Sequence, residues 1–153
     1  MLAKRIIPCL DVSGGKVVKG VQFEQIRVLA DPVALGAYYA AAGADELVYY
    51  DITATTESRC LTESLIAEIA SQINIPFTVG GGVRTINDFY ALLGSGADKV
   101  SINASAIKTP SLITSAAKRF GSQCVVVSMD VRMTGYNQWE VYSNGGRERT
   151  SLC

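Results

Sequence analysis

The sequence predicts an α/β fold: a parallel (β/α) barrel present in part, with about five strands and four helices of an eight-unit design. Three observations lead there. Short apolar runs alternate with segments of helical periodicity in the order β-α-β-α-β-α-β-α-β, which calls for a parallel sheet with right-handed crossovers. Ile6-Ile7-Pro8-Cys9-Leu10-Asp11 and Val125-Val126-Val127-Ser128-Met129-Asp130 are apolar runs that both end in a carboxylate, the position at which parallel barrels keep their chemistry. The chain has 153 residues, whereas eight units need about 200 or more. It is therefore read as a single domain over 1–153, either a piece of a barrel or an open five-stranded sheet.

The elements follow in order. After the first strand, a Gly-rich basic stretch (Ser13-Gly14-Gly15-Lys16-Val17-Val18-Lys19-Gly20) opens a loop that is expected to run to about Ala30. Long ordered loops in compact domains tend to be lids or binding loops. Asp31-Pro32 starts a helix, with Asp as N-cap and Pro at the first helical position. Leu35, Tyr38 and Tyr39 give that helix an apolar stripe, and Gly43 ends it. Leu47 to Ile52 is the second strand, closing near Asp51, and 53–60 is polar loop. Leu61, Leu65, Ile66, Ile69 and Ile73 recur at helical spacing. Ile75 to Val79 is the third strand and runs into Gly80-Gly81-Gly82; Thr85 and Asp88 cap a helix that ends near Gly96. Lys99 to Asn103 is the fourth strand, and a fourth helix runs from near Pro110 to Gly121. Gly43-Ala44-Asp45 and Gly96-Ala97-Asp98 mark a loose two-strand repeat. After Asp130, Trp139 to Tyr142 with Asn144-Gly145-Gly146 reads as a small hairpin.

Composition narrows the function. Fourteen basic and fourteen acidic residues cancel, so nothing draws the chain to nucleic acid or to an anionic membrane. No apolar run reaches the roughly 18 residues of a membrane span. The N-terminus, Met1-Leu2-Ala3-Lys4-Arg5, runs directly into the first strand without a signal segment, so a cytoplasmic protein is expected. Cys9, Cys60, Cys124 and Cys153 have no metal-type spacing and read as reduced thiols. There is no histidine. Proton transfer near neutral pH therefore falls to carboxylates, lysines or tyrosines with shifted pKa values.

Period-2 alternation sorts each strand into two faces. One face holds Arg5, Ile7, Cys9 and Asp11; Glu46, Val48, Tyr50 and Ile52; Thr78, Gly80 and Gly82; Lys99, Ser101 and Asn103; and Cys124, Val126, Ser128 and Asp130. If these faces point inward, Asp11, Gly82, Asn103 and Asp130 meet at the C-terminal rim. Arg5, Glu46 and Lys99 then meet at the N-terminal end. Two cations against one carboxylate leave one positive charge unmatched, unless both cations simply lie exposed.

Two turns could cradle phosphate. Gly80-Gly81-Gly82-Val83-Arg84 lies between a strand and a helix, where glycines let backbone N–H groups approach an anion. Ser101-Ile102-Asn103-Ala104-Ser105 takes the same place one unit later. Lys19 in the long loop is placed to close over the same ligand, although a lone lysine there also suits a solvated surface. Asp11 and Asp130, at matching depth on matching faces, read as an acid/base pair; singly, either aspartate could merely cap a loop.

Together these residues resemble the cyclase subunit of imidazole glycerol phosphate synthase, of histidine biosynthesis. The likeness rests on Arg5 to Val12, Val17-Val18-Lys19-Gly20, Gly43 to Leu47, Asp51-Ile52-Thr53-Ala54, Phe77 to Gly82, Gly96 to Asn103, and Asp130. It covers the whole chain and corresponds to roughly the first three-fifths of a family member. The resemblance implies a (β/α)8 barrel that needs no cofactor or metal. Such a barrel converts an open-chain ribulosyl aminoimidazole carboxamide ribonucleotide and ammonia into imidazole glycerol phosphate and an aminoimidazole carboxamide ribonucleotide. It implies Asp11 and Asp130 as general acid and base, and Lys19 in the substrate loop. It also places Gly81, Gly82, Asn103 and Ala104 in one of two phosphate sites. Arg5, Glu46 and Lys99 become a charged gate for ammonia from a glutaminase partner, and Asp98 lies on the face that docks it. Ala104 stands where some members carry a hydroxyl.

Two other readings remain open. The sister isomerase of the same pathway also uses two strand-end carboxylates, but it needs no ammonia path. A non-catalytic half-barrel would at most bind phosphate and would self-associate through its open first and fifth strands.

Overall fold

Residues 3–21, 24–54 and 61–153 are described by the computed structural model. Met1, Leu2 and residues 55–60 of the loop expected over 53–60, Cys60 among them, lie outside them. The first strand, β1, spans Cys9–Ser13. It does not give way to a loop. The left-handed pair Gly14 (φ 56°) and Gly15 (φ 73°) turns the chain back into β2 (Lys16–Val21), and β3 (Glu24–Ala30) follows. The expected long loop is thus largely a hairpin, because Val17 and Val18 bury their side chains in the core. Asp31 caps α1 (Pro32–Ala41), its carboxylate accepting from the N–H groups of Val33 and Ala34 and from Lys16 Nζ. Leu35 and Tyr39 pack inward from α1, but Tyr38 faces solvent; Gly36 takes the buried position instead.

The rest alternates. Strand β4 is Leu47–Asp51, α2 Glu63–Gln72, β5 Phe77–Gly80, α3 Ile86–Gly94 and β6 Lys99–Ile102. Helix α4 (Ala104–Lys108) is an extra turn that the sequence reading missed, before α5 (Ser111–Phe120) and β7 (Val125–Val127). The expected capping pair of α3 is present: Thr85 accepts from the Asp88 N–H while Asp88 accepts from the Thr85 N–H. β1, β4, β5, β6 and β7 pair in parallel, and the hairpin adds to the free side of β1, giving the order β3-β2-β1-β4-β5-β6-β7. This is a barrel wall left open. The first strand is therefore not a bare edge; Val12 and Ser13 pair with Val17 and Lys16.

Beyond β7 the chain forms a separate three-stranded antiparallel sheet. Its strands are β8 (Asp130–Gly135), β9 (Gln138–Ser143) and β10 (Glu148–Arg149). Asp130 thus begins β8 instead of ending the fifth parallel strand, which stops at Val127.

The two faces of the parallel sheet carry different jobs. Leu10, Val12, Leu47, Tyr49, Val79, Val100 and Ile102 are buried in a core shared with Ile66, Ile69, Phe89 and Leu92 of the helices. Tyr49 donates its hydroxyl to the Pro32 carbonyl at 3.2 Å, and burial, then the Asp31 charge, pushes its pKa up to about 12. The Tyr49 hydroxyl occupies the space where a side chain at Gly36 would begin, so α1 can sit this close only on glycine. On the opposite face the parallel register brings Asp11 beside Tyr50, Tyr50 beside Gly80, and Gly80 beside Ser101.

The two Gly-Ala-Asp repeats have one physical cause. Asp45 Oδ2 accepts from the Ile6 N–H at 2.7 Å while the Asp45 N–H donates to the Ile6 carbonyl. Asp98 does the same to Phe77, at 2.9 Å and 3.0 Å. Each aspartate clasps the start of the neighbouring strand. Exposed Asp98, expected on a partner-docking face, is anchored within its own chain through Oδ2.

Candidate functional site

A cleft of about 270 Å³ opens at the C-terminal ends of the parallel strands. Asp11 and Asp130 both line it, as the face analysis predicts, together with Asn103. Asp11 is half-buried and is the third of the five residues of β1, which runs two residues beyond the strand end that the sequence predicts. Burial pushes its carboxyl above the usual carboxylate range, and the Lys19 charge pulls it part of the way back. Lys19 lies on β2, one strand over, so the hairpin brings its cation within electrostatic reach of Asp11. Cys9, two residues before Asp11 on the same face, has its thiol pushed up by burial and then by Asp11. Asp130 is held differently: the Asn103 side-chain amide donates to its Oδ2 at 3.1 Å.

Asn103 joins two cavities. Its other wall belongs to a pocket of about 70 Å³ bounded by Gly81, Gly82, Arg84, Ala104 and Ser105. Gly81 has φ 100° and Gly82 φ 72°. A Cβ on Gly81 would strike the Asp51 backbone carbonyl, so only glycine lets the turn lie there. The Asn103 Oδ1 and Ser105 Oγ atoms are buried there without a hydrogen-bond partner among the described residues. Unpaired buried oxygens can accept from a donor but repel an anion, so a phosphate here needs donors such as the backbone N–H groups, the Ser105 hydroxyl turned to donate, or Arg84, which also lines the pocket. Ala104 offers only its backbone.

The charge cluster at the opposite end also assembles. Glu46, 7% exposed, accepts from Arg5 through Oε1 and from Lys99 through Oε2, the latter at 2.6 Å. Lys99 is half-buried, while the Arg5 side chain is 63% exposed. Both cations therefore share one carboxylate. Among the described residues no second acid pairs with either.

Some cleft residues carried no role in the sequence reading. Tyr50 lines the floor, its hydroxyl 3.2 Å from Ser101 Oγ. Its ring lies over Gly80, where an added Cβ would meet ring atoms at 2.5 and 2.6 Å. Alternation put Tyr50 on the inner face, but only the register shows that it spans to Ser101. Buried Asp51 also lines the cleft, and its Oδ1 accepts from the Thr53 N–H and hydroxyl at 3.0 Å each. Asn144, Gly145 and Arg147 reach it from the β9–β10 turn; a hairpin tail offers no sequence signal for that. Among the described residues no cluster of three or more histidine, cysteine, aspartate or glutamate side chains could hold a metal. Cys9, Cys124 and Cys153 are free thiols. No described helix is long and apolar enough to cross a membrane.

Comparison with known proteins follows the same residues. The family model described as "Histidine biosynthesis protein" matches residues 5–153. An imidazole glycerol phosphate synthase subunit HisF of Prochlorococcus marinus strain NATL1A is 53% identical over 154 aligned positions, covering 99% of this chain and 60% of the relative. The subunit of the same name from Prochlorococcus marinus subsp. pastoris is 52% identical, with the same coverage. The chain thus spans 60% of the length of the curated relatives it matches.

Proposed function

The chain belongs to the histidine biosynthesis protein family, and from that premise we propose that it carries the cyclase chemistry of imidazole glycerol phosphate synthase. In that reaction ammonia and a ribulosyl aminoimidazole carboxamide ribonucleotide give imidazole glycerol phosphate and an aminoimidazole carboxamide ribonucleotide. The observation that carries the reading is that Asp11 and Asp130 line one cleft. Adding ammonia to a carbonyl and closing a ring both require a proton delivered to a leaving oxygen or nitrogen and another removed. Asp11, whose carboxyl burial pushes up, is the proton donor. Asp130, whose Oδ2 accepts the Asn103 amide, is the acceptor. Lys19 closes over the substrate from the hairpin, and Gly81, Gly82, Asn103 and Ala104 cradle a substrate phosphate. The Arg5–Glu46–Lys99 cluster admits ammonia at the other end of the strands, supplied by a glutaminase subunit that docks near Asp98. The setting is cytoplasmic.

An ammonium-dependent cyclisation assay on the purified chain tests this. Turnover that disappears in Asp11→Asn and in Asp130→Asn supports the reading; turnover unchanged in both removes it.

One observation favours a second reading. Among the described residues, β7 presents the half-buried Val125, Val126 and Val127 with a strand partner on one side only. An unpaired apolar edge seeks another strand. On that reading the chain is a non-catalytic half-barrel that self-associates and binds phosphate without turnover. Sedimentation showing a folded monomer at micromolar concentration would exclude it.

A further inference from the structure

One aromatic ring is laid across three strands at the floor of the cleft. Tyr50 leaves β4 on the inner face, with Asp11 of β1 as its register neighbour on one side and Gly80 of β5 on the other. Its side chain crosses β5 at Gly80 and ends over β6, where its hydroxyl lies 3.2 Å from the buried Ser101 Oγ. The crossing is made on one edge of the ring. A Cβ built on Gly80 would meet Cε1 at 2.5 Å and Cδ1 at 2.6 Å, with the next atom, Ser101 Cβ, at 3.1 Å. A ring that rests on one edge keeps its faces clear of the strands beneath it. Tyr50 is held at both ends, by its backbone in the sheet and by Ser101, so its plane is set before any ligand arrives.

Around this ring the cleft is polar. Among the described residues that line it, Tyr50 and Ile52 alone bring large apolar side chains, and Asp11, Asp130 and Asn103 stand with them. Ile52 continues the inner face two residues on, its N–H donating to the Val12 carbonyl. Tyr50 is only half-buried, so part of the ring is open to the cleft it lines. A flat apolar floor walled by hydrogen-bond acceptors is complementary to one ligand shape. That shape is a planar ring that offers its face to the tyrosine and N–H groups at its rim to the carboxylates. A flexible polyol chain would use the carboxylates and leave the aromatic face unmatched.

We propose that Tyr50 is a stacking platform of this cleft, binding a planar nitrogen heterocycle of the ligand against its ring face. Ser101 is then a positioning residue, which holds the ring through its hydroxyl and does not touch the ligand. Gly80 belongs to the same device, because any side chain there would lift the ring off β5. The inference rests on the heterocyclic-substrate part of the function above, and not on turnover.

Ligand-observed NMR titration of the 153-residue chain with phenyl phosphate and with cyclohexyl phosphate tests it. The two esters share a phosphate and a six-membered ring, but only the first is planar; transfer out of water alone favours the saturated ring. Phenyl phosphate is expected to bind about three- to tenfold more tightly, with its ring protons shifted upfield by the tyrosine. The aminoimidazole carboxamide ribonucleotide should bind about tenfold or more tightly than the matching ribose phosphate. Tyr50→Leu, which stays apolar, should abolish both preferences, whereas Tyr50→Phe should keep most of each. Ser101→Ala should reduce them in part, and Tyr136→Leu, at a tyrosine 93% exposed, should leave them unchanged. Tyr50→Leu that melts like the parent and keeps both preferences would overturn the proposal. So would a parent chain that shows neither the phenyl preference nor the upfield shift, a result independent of how any variant folds. Asp11→Asn is expected to keep the phenyl preference whether or not the chain turns over. Failure of the cyclase reading therefore shows separately.

Discussion

Asn103 reaches across 27 residues of sequence to donate its side-chain amide to Asp130 Oδ2 at 3.1 Å. That bond fixes one carboxylate oxygen of the proposed pair and leaves the other for chemistry. Asn103→Ala is expected to lower kcat about tenfold or more, the worth of a hydrogen bond to a charged group. Asp130→Asn, which keeps the shape but cannot accept a proton, should cost about 10²–10⁴-fold. Steady-state rates with ammonium as the nitrogen source decide it; an Asn103→Ala chain at the parent rate would remove Asn103 from the site.

Asp11 sets a pH dependence whose sign follows from its surroundings. Burial raises its folded-state pKa, so the folded chain binds this proton more tightly than the unfolded chain does. The stability it contributes is present below the unfolded value near 3.8 and is lost as pH rises through the higher folded value. Asp11→Asn should therefore melt at or above the parent temperature at neutral pH, with the gap closing as pH falls towards that value. Lys19 opposes the shift, so Lys19→Met should move the Asp11 titration further upward. Carboxyl-carbon NMR titration reads it directly, and a downward move contradicts the assignment.

Glu46 is the shared acceptor of two cations. Glu46→Gln leaves half-buried Lys99 without its counter-charge and is expected to cost about 1–2 kcal/mol, a fall of several degrees in Tm. Arg5→Ala should cost well under 1 kcal/mol, because that side chain is 63% exposed and water screens the pair. Thermal melts of the two variants give the ordering; a larger loss for Arg5→Ala would contradict it.

Gly80 keeps the floor of the cleft open for Tyr50. Gly80→Ala would drive a methyl group into the Tyr50 ring and displace the hydroxyl from Ser101, costing about 1–3 kcal/mol as overpacking. Tyr50→Ala should relieve most of that clash, so the double variant loses less than the sum of the singles. Additive losses would place the strain elsewhere.

The parallel wall was legible because burial writes itself into period and spacing. Leu61, Leu65, Ile66, Ile69 and Ile73 all pack on the core, and inner-face alternation correctly joined Asp11 to Asn103 and Glu46 to Lys99. Three features escaped for identifiable reasons. The hairpin of β2 and β3 has buried valines but few turn residues beyond Gly14-Gly15, and its basic residues look like a solvated loop. Asp130 lines the cleft as alternation predicts, but it lies three residues past the end of β7 and opens β8, a change of sheet that alternation does not report. Arg147 depends on three left-handed residues whose direction no pattern of hydrophobicity reports.

The paired bonds of Asp45 and Asp98 have a consequence for how such a wall can grow. Each aspartate carries the address of the strand beside its own: Asp45 precedes β4 and holds the chain leading to β1, and Asp98 precedes β6 and holds β5. A unit copied or transplanted with its Gly-Ala-Asp prefix would bring its own docking instruction and need no matching change in the unit it joins. The fold can then be lengthened one module at a time, with alignment inherited from the newcomer.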